Sequence, residues 1–133
     1  MSDALSTELF IFGLSVVLLL VHIVWQSSSM TRDTSVGYNM GPRDTEKPVS
    51  VVTGRLSRAL RNYLETYAAF VGLALALHIT GKTGGAGEIG AWIWLAARIV
   101  YLPLFAFGVF RWRSIVWMVS ILGLVLMLYR LMF

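Results

Sequence analysis

Four long apolar stretches occupy most of this 133-residue chain. Each comes close to the roughly 20 residues that a helix needs to cross a bilayer. They cover about residues 9–26, 63–80, 91–110 and 115–133. The mean hydropathy of +0.73 and the 14% content of charged residues lie outside the usual range of soluble globular domains. The sequence therefore predicts an all-α integral membrane four-helix bundle that forms one domain.

The predicted spans are somewhat longer than the apolar stretches, because helical turns extend into the headgroup region. We predict spans at about 9–26, 54–80, 89–110 and 114–133, and a polar loop over 27–53. The loop is rich in Ser, Gly and Pro, which favour turns. Ser50 or Thr53, just before the second apolar stretch, is a candidate helix cap. No separate soluble domain fits in the remaining residues.

Basic residues predict how the chain crosses the membrane. Six of them lie between the first and second apolar stretches, and short cytoplasmic loops carry the Lys/Arg excess. The loop 27–53 is therefore predicted to be cytoplasmic, with both termini on the other side. Asp3 and Glu8 precede the first stretch, which argues against a cleaved signal peptide. The basic pI is explained by this topology and by anionic lipid headgroups, so no nucleic-acid partner is expected.

Charged side chains inside hydrophobic segments are the strongest pointers to function, because an ionisable group at membrane depth is costly. In the second span Arg58, Asn62 and Glu65 stand at i, i+4 and i+7, so a helix places them on one face, and Arg55 lies one turn earlier. The third span carries a similar stripe, which consists of Arg98, Tyr101 and Phe105.

Two interpretations of these stripes remain open from the spacing alone. In the first, Glu65 neutralises Arg98 in a structural ion pair, and Asn62 joins two helices by hydrogen bonding. In the second, the arginines outnumber the one carboxylate, and an anionic ligand completes the site. Arginine binds carboxylates through paired hydrogen bonds, and Glu65 is suited to accept an ammonium group.

Other features of the sequence predict structural roles. The segment from Gly81 to Gly90 contains a dinucleotide-type glycine pattern and the end of a phosphate-loop pattern, but neither has the preceding strand that such a site requires. His22 and His78 are predicted to serve in packing, the five tryptophans to be interfacial anchors, and Arg130 to reach the headgroups. The chain has no cysteine, and no metal site is predicted.

The run from Arg58 to Glu65, followed by Arg98-Ile99-Val100-Tyr101, resembles the MAPEG superfamily of membrane-associated proteins in eicosanoid and glutathione metabolism. The Arg-x-x-x-Asn-x-x-Glu pattern that enters the second span is the most specific part. Gly41-Pro42-Arg43-Asp44 is similar to a loop of bacterial members. The resemblance covers almost the whole chain and implies a bacterial-type protein of the inner membrane.

The resemblance also implies a homotrimer with active sites between neighbouring subunits, near the cytoplasmic face. Glutathione would be the co-substrate and a lipophilic small molecule from the bilayer the second substrate. The residues implied to bind glutathione are Arg55, Arg58, Asn62, Glu65, Arg98 and Tyr101. Arg113 and Ser114 are similar to the element that stabilises the thiolate in active members, and Arg111 is the substitute for Arg113 if the alignment contains a gap.

The implied function is a membrane glutathione transferase or peroxidase-like protein that conjugates or reduces lipophilic substrates. Two positions depart from the family pattern: Phe105 stands where many members carry a second tyrosine, and Thr66 follows the glutamate where an aromatic residue is common. The alternative is a non-enzymatic membrane scaffold of the same fold that binds a lipid or a partner. A small multidrug transporter fits less well, because the first span carries no carboxylate after Glu8.

Overall fold

The computed structural model describes residues 5–45 and 47–133, and within these ranges every regular element is a helix. This confirms the predicted all-α class. The helices, in chain order, are α1 (Thr7–Asp33), α2 (Val36–Met40), α3 (Val51–Ile79), α4 (Gly85–Ala106) and α5 (Phe110–Met132). The four long helices pack on one another, with α4 beside α5, α1 beside α3 and α4, and α3 beside α4 and α5.

Three of the long helices, α1, α4 and α5, are long and apolar enough to cross a membrane. The prediction of an integral membrane protein is therefore confirmed. The fourth long helix, α3, has 29 residues but carries Arg55, Arg58, Arg61 and Glu65 in its first half. These charges distinguish α3 from the other three helices.

The first helix extends beyond its predicted end at 26 and continues to Asp33, so the predicted loop 27–53 begins with helix and also contains the short α2. Asp33 explains the longer helix. Its Oδ2 accepts hydrogen bonds of 2.8 Å from both the backbone N and the Oγ of Ser50, and a third from Thr53. Ser29 also bonds Thr53. Ser50 caps α3, because its side chain accepts a hydrogen bond from the Thr53 N–H. Ser50 was one of the two predicted candidates. The polar ends of α1 and α3 are thus joined.

We expect Asp33→Ala to lower the midpoint of thermal unfolding in detergent by a few degrees. The substitution removes the acceptor of three hydrogen bonds that connect α1 to the start of α3. Asp44→Ala is the matched control, because Asp44 is an exposed carboxylate in the same connecting segment. Equal midpoints for the two variants would contradict a role for Asp33 in joining the helices.

The pair α4 and α5 meets backbone to backbone at two glycines. A methyl group built on Gly90 would lie 2.4 Å from the carbonyl oxygen of Gly123, and one built on Gly123 would lie 2.5 Å from that of Gly90. Real Cβ contacts are never this short, so only glycine permits the approach. Small residues at such crossings are typical of helix pairs in membranes.

An aromatic cluster forms the centre of the core, between α3 and α4. The ring of Trp94 stacks on Phe70 with centroids 3.9 Å apart and lies 5.6 Å from Tyr63 and 6.1 Å from Tyr67. Trp94 is completely buried, so its prediction as an interfacial anchor is wrong. The sequence could not separate these roles, because tryptophan suits both a membrane interface and an aromatic core.

Hydrogen bonds close the end of the molecule where α3 meets α4. Glu8 is buried and accepts from the Gly84 N–H at 2.8 Å, while Lys82 donates to the Leu131 carbonyl at 2.9 Å. Arg130 donates to the Lys82 carbonyl at 3.2 Å, so it binds this turn and does not simply extend to headgroups as predicted. The turn is short because α4 already begins at Gly85. The dinucleotide-type and phosphate-loop patterns therefore lie on this turn and on the helix ends beside it.

Candidate functional site

A cavity of about 610 Å³ opens between α3, the second half of α4 and the first half of α5. Its volume lies within the usual range for small-molecule sites. The side chains that line it combine charged, polar and apolar groups: Arg58, Asn62, Tyr101, Phe105, Arg113, Ser114, Trp117 and Met118. Five of the residues predicted from the sequence as site residues, Arg58, Asn62, Tyr101, Arg113 and Ser114, therefore line one cavity.

Arg98 lies behind this cavity and is completely buried. Its Nη1 donates a hydrogen bond of 2.8 Å to the Asn62 Oδ1, whereas its Nε and Nη2 have no hydrogen-bond partner among the described residues. Its Cζ lies 4.3 Å from the ring centroid of Tyr101 and 5.4 Å from that of Tyr63. Aromatic faces attract such a cation but do not neutralise it. A buried positive charge with free donors therefore stands beside the cavity.

Of the interpretation that paired Glu65 with Arg98, the ion pair is not formed, whereas Asn62 does join α3 to α4 by accepting the hydrogen bond from Arg98. Glu65 is exposed and borders a separate depression of about 440 Å³ together with Arg61. The i, i+4 spacing placed Arg58 and Asn62 together, and both line the cavity, whereas Glu65 does not. Spacing within α3 does not give the rotation of α3 relative to α4. That rotation decides that Asn62, and not Glu65, reaches Arg98.

Arg55 also lies away from the lining of the cavity. Its guanidinium packs against Gly108 in the turn between α4 and α5, so closely that a methyl group on Gly108 would lie 2.8 Å from the Arg55 Cζ. Gly108 has a φ of +74°, which glycine adopts without the strain that other residues incur. Its N–H bonds the carbonyl of Phe105 and closes the end of α4. Arg55 therefore supports the turn that leads into Arg113.

Of the two arginines considered for the start of α5, Arg113 lines the cavity and Arg111 is exposed outside the lining. Arg113 is half-buried, and its Cζ lies 4.6 Å from the ring centroid of Phe105. Ser114 follows it with an exposed hydroxyl. Cavity residues Trp117 and Met118 were not predicted as site residues. They stand one helical turn after Arg113 and Ser114, and that i+4 spacing was the available signal.

The cavity presents two kinds of chemistry. Arg58, Asn62, Tyr101 and Arg113 offer hydrogen-bond donors and positive charge, and none of the described side chains that line the cavity is a carboxylate. Trp117 and Met118 add an apolar wall on α5. Such a cavity suits a ligand that is anionic at one end and meets an apolar molecule at the other.

His22 and His78 lie away from the cavity lining. The His22 ring is buried 4.8 Å from the Tyr63 centroid, in accord with the predicted packing role. His78 lies at the end of α3 and shares a hydrogen bond of 3.1 Å with the Ser6 hydroxyl. Within residues 5–45 and 47–133, no group of three or more His, Cys, Asp or Glu side chains is arranged to hold a metal.

A family model described as the MAPEG family matches residues 9–133. No curated protein and no solved structure matches the chain. The matched residues include all four long helices apart from the first two residues of α1.

Proposed function

The chain belongs to the MAPEG family, and from this premise we propose that it is a membrane glutathione transferase or peroxidase-like protein. It binds glutathione near the cytoplasmic face and transfers the thiol to a lipophilic electrophile, or uses it to reduce a lipophilic hydroperoxide. Membership of a family associated with glutathione and eicosanoid metabolism supports the substrate class. The cavity supports the chemistry.

The observation that carries the proposal is the unbalanced positive charge at the cavity. Arg58 and Arg113 line it, Arg98 lies buried behind it with two unpartnered donors, and the described lining contains no carboxylate. A buried unpaired charge destabilises a protein unless a partner arrives. Glutathione carries two carboxylates and an ionisable thiol, which matches three guanidinium groups.

The proposed roles follow from position. Arg58 and Asn62 bind the carboxylate end of glutathione from α3, with Asn62 held in place by the hydrogen bond from Arg98. Tyr101 supplies a phenol from α4. Arg113, with the Ser114 hydroxyl beside it, stabilises the thiolate, because a nearby cation lowers a thiol pKa by favouring the charged form. Trp117 and Met118 face the lipophilic substrate.

We propose that the functional unit is a homotrimer in which α3 is the fourth span. Arg61 and Glu65 are both exposed on the surface of a single subunit, in the half of α3 that leads into its apolar part. Charged side chains that face hydrocarbon are costly, so this surface is better placed against a neighbouring copy or water. At such an interface Glu65 is available to accept the glutathione amine. The described cavity lining of a single subunit contains no carboxylate for this amine.

The proposed orientation places the α1–α3 connection and the α4–α5 turn in the cytoplasm of a bacterial cell, with both termini outside. The basic residues Arg32, Arg43, Lys47, Arg111 and Arg113 lie at that end of the molecule, as the positive-inside rule requires. The cavity, which contains Arg58 and Arg113, then opens where cytoplasmic glutathione and membrane-dissolved substrates meet.

The proposal is tested by calorimetric titration of glutathione into the intact oligomer in detergent. We expect binding by the wild type and an affinity about 10- to 100-fold lower for Arg58→Ala, since a charge-assisted hydrogen bond is lost. Arg58 is exposed in the single subunit, so its replacement does not open a hole in the core of that subunit.

Lys47→Ala is the matched control, because Lys47 is an exposed cation of the loop. It is expected to bind glutathione as the wild type does. If the wild-type oligomer binds no glutathione, the proposed function is wrong. If it binds glutathione but turns over no electrophile or hydroperoxide, the non-enzymatic scaffold is the better description.

A further inference from the structure

The Phe105 ring contacts two of the arginines at the cavity. Its ring is 8% exposed and lies within cation–π distance of two arginines from different helices. The Cζ of Arg113, on α5, is 4.6 Å from the ring centroid, and the Cζ of Arg58, on α3, is 6.0 Å from it. Both values fall within the range in which an aromatic face attracts a guanidinium group.

The ring is itself held in place from α4. Tyr101 meets Phe105 edge to face with centroids 5.6 Å apart, and the buried Arg98 lies over Tyr101 at 4.3 Å. A series of contacts therefore runs from the buried Arg98 through the rings of Tyr101 and Phe105 to Arg113 at the cavity. Edge-to-face pairs are favourable and fix the tilt of both rings.

The Arg113 guanidinium lies near two aromatic rings. They are the rings of Phe105 at 4.6 Å and Phe110 at 5.3 Å. An aromatic face restrains a guanidinium group and leaves its N–H donors free, whereas a carboxylate partner would occupy those donors and cancel the charge. Phe105 thus contacts Arg113 without neutralising it.

We infer that Phe105 is a positioning residue that sets the location of the Arg113 guanidinium group through its aromatic face, whereas Arg58, at 6.0 Å, lies at the limit of such a contact. This deepens the proposed function and rests on it. The ring face is sufficient for this role, and no hydroxyl is needed at position 105. Loss of the face would free Arg113 to move away from the glutathione sulfur and raise the pKa of the bound thiol.

The test is a pH titration of the bound thiolate by its ultraviolet absorbance, with Phe105→Leu compared with the wild type. Leucine keeps the site apolar and fills most of the volume of the phenylalanine side chain, but it removes the aromatic face. We expect the midpoint of thiol ionisation to rise by about one pH unit, because one unit corresponds to the free energy of an ordinary cation–π contact. At a pH below the midpoint this is a tenfold loss of thiolate. Phe105→Tyr restores the face and is expected to restore the wild-type midpoint.

Phe107→Leu is the matched control for the change from an aromatic to an aliphatic side chain, since Phe107 is exposed outside the cavity lining. It is expected to keep the wild-type midpoint. Binding of S-methylglutathione, which cannot form a thiolate, measures recognition of the rest of the peptide. We expect Phe105→Leu to change that affinity by less than about threefold, because the methylated ligand lacks the group that Arg113 stabilises.

The outcomes separate the inference from the proposed function. An unchanged thiolate midpoint in Phe105→Leu overturns the inference and leaves the proposed function intact. The inference is also overturned if the midpoint of Phe105→Tyr rises as much as that of Phe105→Leu. A wild-type protein that binds neither glutathione nor S-methylglutathione overturns both. A raised midpoint in Phe105→Leu, with S-methylglutathione binding retained, supports the inference.

Discussion

Replacement of Arg113 by alanine is expected to lower kcat/KM for glutathione conjugation at neutral pH by about 100- to 1,000-fold, the usual effect of removing a group that stabilises developing negative charge. The guanidinium at the cavity favours the thiolate, so its loss raises the pKa of bound glutathione toward the ordinary thiol value of about 8.5. Activity of the variant should therefore recover in part as the pH is raised. Initial rates measured across a pH series check this.

Arg111→Ala is the matched control for this prediction. Arg111 stands two residues earlier on α5, is exposed, and does not line the cavity. It is expected to retain wild-type rates at every pH. The reverse pattern, with activity lost in Arg111→Ala and kept in Arg113→Ala, would assign thiolate stabilisation to the other arginine.

Replacement of Gly123 by alanine is expected to destabilise the protein by about 3 kcal/mol or more, a large effect for the addition of one methyl group. The new Cβ would lie 2.5 Å from the Gly90 carbonyl oxygen and 2.7 Å from the Trp94 nitrogen. Both atoms belong to backbone, which no side-chain rotation can move, so α4 and α5 would have to separate. Thermal unfolding and size-exclusion profiles in detergent measure the effect.

The matched control is Gly13→Ala on α1, where the added methyl group meets nothing within 4 Å in the subunit. Alanine has the higher helix propensity by about 1 kcal/mol, so this variant is expected to be as stable as the wild type or slightly more stable. Equal destabilisation by the two substitutions would show that the α4–α5 contact is not the cause.

Local patterns in the sequence were sufficient for the helical class and for most of the cavity. Hydrophobic length predicted where the long helices lie, and Ser50 was one of the two candidate caps of α3. Helix ends were less accurate, since the end of α1 depends on Asp33 bonding residues from the start of α3, a contact between segments far apart in the chain. Propensity contains no information on such a contact.

The site shows a similar division. Spacing along α3 selected Arg58 and Asn62, and the family resemblance implied Arg113; the structure brings all three to one cavity. One of the two interpretations paired Arg98 with Glu65, but its partner is Asn62. The rotation of α3 against α4 is set by the packing of Tyr63, Phe70 and Trp94 and not by spacing within either helix. Aromatic packing of this kind is not readable from one sequence.

The glycine contact between α4 and α5 also divides the cavity lining into two parts. The two helices in backbone contact also carry Tyr101, Phe105 and Arg113, which therefore form one wall of the cavity. Arg58 and Asn62 belong to α3, which meets α4 through side chains. A rotation of α3 would therefore displace Arg58 and Asn62 relative to that wall, and it would have to break the hydrogen bond between Asn62 and Arg98.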